Sequence, residues 1–187
     1  MKIKLIIGLG NPDFQHILTY HNVGQLFLSW LIEHEAWNIK HKLFIASKFK
    51  IHDSQFIIHV IKSSVFMNES GKAVLSAIKY FSTKDNKIDP KEILIVHDDS
   101  DIELEKYKFS YGRGSAGHKG IESIIKSLKT KNFWRLRIGI RPKQVSRARR
   151  AKAGEFVLKK ITKKDLTIFN KVFQSAQAQL FNTTTNK

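Results

Sequence analysis

The sequence predicts a single three-layer α/β domain, a mixed, twisted β-sheet flanked by helices, spanning residues 1–187. Short apolar runs of strand length interleave with stretches of helical periodicity along the whole chain. Two of those runs are joined by a polar turn and read as a hairpin, which makes the sheet mixed. No internal repeat and no Pro-, Gly- or Ser-rich linker divides the chain, and its length suits one sizeable core.

The elements follow in order. Ile3 to Ile7 is a buried strand, and Gly8, Gly10 and Pro12 then force an irregular turn. A helix starts near Asn22, with Val23, Leu26, Phe27, Trp30 and Leu31 on one face and His34 as a charge in its last turn. Residues 43–51 and 55–62 are the hairpin strands, joined by His52-Asp53-Ser54. Glu69 to Phe81 is helical, burying Ala73, Val74, Ala77, Ile78 and Phe81. Glu92 to Val96 is a strand that ends in His97-Asp98-Asp99-Ser100-Asp101, an acidic cluster whose plain reading is an exposed loop. Lys106 to Tyr111 is a strand that enters the glycine-rich segment 112–120, and Ile121 to Leu128 is a helix. Trp134 to Ile140 alternates as a strand, and residues 141–153 form a basic loop. Thr162-Lys163-Lys164-Asp165 resembles a capping box and opens a last helix that faces inward through Leu166, Phe169, Val172, Phe173, Ala176 and Leu180. Residues 182–187 are expected to fray.

The net charge is +17, from 33 Lys and Arg against 16 Asp and Glu. An excess of this size points to a polyanionic partner, with a lysine-rich compositional bias as the plain alternative. The absence of cysteine excludes disulfides, thiolate nucleophiles and cysteine-ligated zinc, and it favours a reducing compartment. No apolar run is long enough to cross a bilayer. Met1-Lys2-Ile3-Lys4 enters the first strand unlike a signal peptide, so a cytoplasmic protein without membrane contact is expected.

The candidate chemistry gathers at strand ends, where α/β folds place their sites. His21 lies between the tight turn and a helix start, where a neutral imidazole can take a proton from water. It needs an orienting partner on its other nitrogen, and Asp98 follows a buried strand at the same sheet edge. Asn11 sits in the turn. Asn68 opens a helix, either as its cap or as a donor to a substrate carbonyl, with Phe66 and Met67 as an apolar wall beside it. His118 stands before a helix and can reach the same cleft. Lys108, Arg113, Lys119, Arg135, Arg137, Arg141 and Lys143 are dense enough in arginine to favour nucleic acid over a merely solvated run of charge. Two alternatives stay open. His97, Asp98, Asp99 and Asp101 could hold a hard cation, though they match no full calcium loop. Gly8-Leu9-Gly10-Asn11-Pro12-Asp13 nearly matches a dinucleotide fingerprint, with Asp13 in place of its last glycine.

Taken together, these motifs resemble those of the bacterial-type peptidyl-tRNA hydrolases. The carriers are Gly8-Leu9-Gly10-Asn11-Pro12, Thr19-Tyr20-His21-Asn22-Val23-Gly24, Phe66-Met67-Asn68-Glu69-Ser70-Gly71, His97-Asp98-Asp99-Ser100-Asp101, Ala116-Gly117-His118-Lys119-Gly120 and Phe133-Trp134-Arg135-Leu136-Arg137-Ile138-Gly139-Ile140, in family order over nearly the whole chain. The resemblance implies hydrolysis of the ester between a peptide and the terminal ribose of tRNA, by a monomer, without metal or cofactor. It gives His21 the role of base and Asp98 that of orienting it, while Asn11 and Asn68 position the substrate. Tyr20, Phe66, Met67, His118 and Lys119 complete the substrate contacts. Arg137, with Lys108 or Arg113, takes the phosphate, and the loop 141–153, including Arg141 and Lys143, is the lid that meets tRNA. The chain departs from the family pattern at Asp13, His16, Tyr20, Ser110 and Lys119, where glycine, tyrosine, arginine, lysine and asparagine are usual. A non-catalytic RNA-binding protein on the same fold is the rival reading.

Overall fold

The computed structural model describes residues 2–33, 36–50, 57–142 and 153–185, with backbone alone for 153 and 183–185. The expectations for His34, Lys143, the hairpin turn and most of the basic loop therefore lie outside the described residues.

The strands are β1 (Leu5–Gly8), β2 (Ile39–His41), β3 (Phe44–Lys50), β4 (Ile57–Ser63), β5 (Ile93–Glu103), β6 (Tyr107–Tyr111) and β7 (Trp134–Arg141). The helices are α1 (Val23–Leu31), α2 (Ser70–Phe81), α3 (Lys119–Leu128), α4 (Ala153–Phe156) and α5 (Lys163–Thr185). The sheet is seven-stranded and mixed, in the order β2-β3-β4-β1-β5-β7-β6. Its centre, β4-β1-β5-β7, is parallel, and the hairpin β3-β4, with β2 and β6, supplies the antiparallel pairs. All four residues of β1 are buried, as a central strand covered on both faces requires. One face packs Val96, Leu136, Ile138 and Ile140 against Phe27 of α1 and Phe173 of α5. The other packs Leu5, Ile7 and Ile95 against Val74 of α2 and Ile121 and Ile124 of α3.

The structure departs from the sequence reading along β5 and adds two short elements. The segment 97–101 is not an exposed loop: β5 continues through it, pairing with β7 as far as Asp99 and then, past a register shift, at Glu103. Within it the carboxylates of Asp98 and Asp99 meet histidine and arginine rather than each other. The short edge strand β2 and the one-turn α4 carry too few apolar residues to announce themselves. α5 runs to Thr185 and so takes in residues 182–185 of the expected tail. The capping-box reading holds in one arm: Asp165 N–H donates to Thr162 Oγ1 at 3.1 Å, while the Asp165 carboxylate takes the Tyr20 hydroxyl.

Gly24 sets how closely α1 approaches the sheet. A Cβ there would lie 2.2 Å from the Val96 carbonyl oxygen and 2.9 Å from that of Leu9, both of them backbone. Neither atom can swing away, so Gly24→Ala must push α1 off β1 and β5. We expect a loss of about 1–3 kcal/mol in denaturant unfolding, together with reduced activity, because the same approach carries residue 21 toward β5.

Candidate active site

The site lies beyond the carboxyl ends of β1 and β4 and on β5, where parallel strands deliver their chain ends to one edge. After β1 the chain turns through Asn11, which is fixed from two sides. Its N–H donates to Asn22 Oδ1 at 2.8 Å, and Asn22 Nδ2 donates to the Asn11 carbonyl at 2.9 Å. Asn11 Oδ1 accepts the Met67 N–H at 2.9 Å, so Nδ2 is the donor it can offer a ligand. The turn then makes a short 3₁₀ helix, Phe14–His16, whose cap is Asp13 accepting from His16 N–H at 3.1 Å. Asp13 thus works as a cap, where a dinucleotide fingerprint needs a glycine that lets a longer helix pack closely.

His21 sits in a second 3₁₀ turn, Tyr20–Asn22, that runs into α1. Its Nδ1 is 2.8 Å from Asp98 Oδ1. The same oxygen lies 3.0 Å from Nε2 of His118. His118 caps α3, its Nδ1 accepting from Gly120 N–H at 3.1 Å and Ile121 N–H at 3.3 Å. A nitrogen that accepts carries no proton, so the proton of a neutral His118 is on Nε2 and donates to Asp98. An ionised carboxylate only accepts, so Nδ1 of His21 also donates and its Nε2 keeps a free lone pair. Burial opposes the charge of Asp98, yet His118 and His21 and their hydrogen bonds hold its carboxyl well below the usual carboxylate range.

Potential ligand atoms of His21, Asp98 and His118 all lie within 4.8 Å of one another. The proton assignment speaks against an ion there, because Nε2 of His118 is committed as a donor and has no lone pair for a cation. The acidic quartet is also divided. Strand alternation turns Asp99 away from Asp98, and its carboxylate accepts Arg137 Nε at 2.7 Å. His97 is fully enclosed, and burial, with His118 close by, pushes its pKa well below the usual value.

His21, Asn11 and Asn68 line a pocket of about 500 Å³. Phe66, Met67, Val157 and Leu158 give it apolar surface, and Glu69 and Lys119 give it charge. Asn68 is exposed and makes no side-chain hydrogen bond among the described residues; α2 starts two residues later, so the cap reading of Asn68 does not apply. Gly120 lets α3 close over Met67: a Cβ there would meet Met67 Sδ at 2.5 Å. Gly154, Val157 and Leu158 escape sequence reasoning because long-range pairing brings them in. His21 N–H donates to the Val157 carbonyl at 2.8 Å, and Ile161 N–H to that of Leu18 at 2.8 Å.

Several expected contacts belong elsewhere. Tyr20 is 5% exposed; its ring stacks on Phe156 at 4.7 Å and its hydroxyl donates to Asp165, so it anchors the pocket wall rather than touching substrate. Burial, and the hydrogen bond and charge of Asp165, push its pKa up. His118 serves Asp98 and α3 and is not among the residues lining the pocket. Arg135 is 2% exposed, and its Nη1 donates to the Gly114 carbonyl at 2.9 Å, which pins the glycine-rich segment and withdraws this arginine from the expected phosphate surface. Arg137 is half-buried against Asp99, directly across from exposed Lys108, and Arg113 is exposed nearby. Arg141 ends β7, with its Nη2 3.7 Å from Glu103.

A family model described as "Peptidyl-tRNA hydrolase" matches residues 5–187. A peptidyl-tRNA hydrolase of Mycoplasma capricolum is 34% identical over 186 residues, covering 99% of this chain and 95% of that protein. One of Lactobacillus delbrueckii subsp. bulgaricus is 40% identical over 141 residues, covering 74% of this chain and 72% of that protein. The crystal structure of peptidyl-tRNA hydrolase from Acinetobacter baumannii superposes with a TM-score of 0.77 at 28% identity, covering 92% of this chain and 84% of that one. With its mixed seven-stranded sheet and a match over nearly its full length, the chain belongs to the peptidyl-tRNA hydrolase family.

Proposed function

We propose that His21 is the general base in hydrolysis of the ester that joins a peptide to tRNA, the reaction of this family, which releases free tRNA. The observation that carries the assignment is the single oxygen of Asp98 shared between Nδ1 of His21 and Nε2 of His118, which leaves Nε2 of His21 free to take a proton. Water attacks the ester carbonyl carbon as its proton passes to Nε2 of His21. The carbonyl π electrons move to oxygen, and Asn68, exposed at the pocket with no other partner among the described residues, donates to that oxyanion. The bond to the ribose oxygen then breaks, and the imidazolium returns its proton to that oxygen. The products are a peptide carboxylic acid, which then gives up its proton to water, and tRNA with its terminal hydroxyl restored. Asp98 stays ionised and stabilises the imidazolium in between. Asn11 Nδ2 holds the substrate, and Phe66, Met67, Val157 and Leu158 shelter the ester from bulk water.

The net charge of +17 supplies the attraction for tRNA, with Lys108, Arg113, Arg137 and Arg141 as phosphate contacts. None of the helices among the described residues is long and apolar enough to cross a membrane. A monomer acting in the cytoplasm, where peptidyl-tRNA arises, fits this reading. The test is release of peptide from an N-blocked aminoacyl-tRNA, with free aminoacyl-tRNA for comparison. We expect turnover of the blocked substrate and a steep fall in kcat/KM as salt rises. Binding of tRNA with no turnover would instead favour the non-catalytic reading.

A further inference from the structure

We propose that Lys119 reads the phosphodiester next to the scissile ester, so that the pocket selects esters carried on a nucleotide chain over esters of a lone nucleoside. The proposal rests on the esterase reading above and adds a specificity contact to it. Lys119 is the first residue of α3, directly after the histidine that braces Asp98, and its side chain is exposed. It lines the pocket that also holds His21, Asn11 and Asn68. The other formal charge there is already neutralised: Glu69 Oε1 lies 2.5 Å from Lys72 Nζ. Lys119 makes no ion pair among the described residues, so its charge is left uncompensated at a residue that lines the pocket.

The chemistry of the substrate selects the partner. A peptide ester of a terminal ribose carries no charge at the ester itself. The nearest anion is the phosphodiester on the other side of that same ribose. An ammonium on a flexible four-carbon stem, on a residue that lines the same pocket as the general base, can span one ribose. An amide at the same position could only hydrogen-bond; an ammonium adds a charge-assisted contact, roughly twice as strong.

The experiment compares two substrates that differ by one charge. Both are N-acetyl-aminoacyl esters of the dinucleotide cytidylyl-adenosine, one with its natural phosphodiester and one with a neutral methylphosphonate in its place. The wild-type protein is expected to prefer the phosphodiester by about tenfold in kcat/KM, mainly through KM. Lys119→Gln is expected to lose that preference by slowing on the charged ester alone, and Lys119→Arg to restore it. On whole peptidyl-tRNA, Lys119→Gln should also lower the salt slope of binding by about one. Equal losses on both dinucleotide esters would overturn the proposal, since they would place the ammonium at the reacting carbonyl or in the structure of α3. An unchanged preference in Lys119→Gln would overturn it as well. Wild-type failure on both esters and on peptidyl-tRNA would remove the esterase reading itself, a different result from either.

Discussion

His21→Ala is expected to lower kcat on peptidyl-tRNA by about 10²–10⁴ while the protein stays folded. The range is what a positioned general base contributes. Folding should survive because the interactions that hold this turn in place do not use the imidazole. The backbone N–H of His21 still donates to the Val157 carbonyl, and Tyr20 still stacks on Phe156. Asp98 loses one of its two donors but keeps His118. Circular dichroism and the denaturant midpoint should therefore stay close to wild type while turnover collapses. tRNA binding should remain and keep its salt dependence, since the phosphate contacts proposed above do not include the imidazole. Undiminished turnover in the alanine variant would remove His21 from the chemistry.

The sequence pointed to the dyad and to His118 near its cleft, but not to the bond that joins His118 to Asp98. Gly8, Gly10 and Pro12 mark a strand end, and an apolar run marks β5, so the convergence of His21 and Asp98 follows from an α/β sheet edge. The role of His118 depends on which of its nitrogens caps α3, and helix-cap geometry of that kind has no signature in residue order. Arg135 misleads for a similar reason. Alternation places it correctly on the face opposite Leu136, but the glycine-rich segment folds back over that face and buries the guanidinium. Tyr20 invites assignment to substrate because arginine is usual there, whereas its aromatic ring has found Phe156 and Phe169, distant in the chain and near in space. The acidic stretch of β5 looked like a loop because its compensating groups, Arg137, His21 and His118, are all far from it in sequence.

Replacing Asp98 separates charge from geometry. In Asp98→Asn the side-chain carbonyl can still accept from both Nδ1 of His21 and Nε2 of His118, because in the wild type one oxygen serves both. What disappears is the negative charge beside the imidazolium that the proposed mechanism forms during attack. A contribution made only as that charge develops lowers kcat and leaves KM nearly unchanged, and a loss of about 10²–10³ is expected. Asp98→Ala also removes the acceptor, frees the ring of His21 and should fall further. The same carboxyl leaves a mark on stability. Its folded pKa lies below the ordinary 3.8, so its stabilising contribution is complete above that value and is lost as the pH drops beneath it. The side-chain amide of Asp98→Asn does not titrate and has no such dependence. In denaturant titrations the gap between wild type and Asp98→Asn should hold steady near neutrality and change in favour of the variant below about pH 4. His97, whose pKa burial pushes down, is neutral when folded and becomes protonated when unfolded, so each protein should already lose stability as the pH falls below 6.5. A variant with wild-type kcat would show that the charge of Asp98 is not spent on the imidazolium, and the base would then need another source of stabilisation.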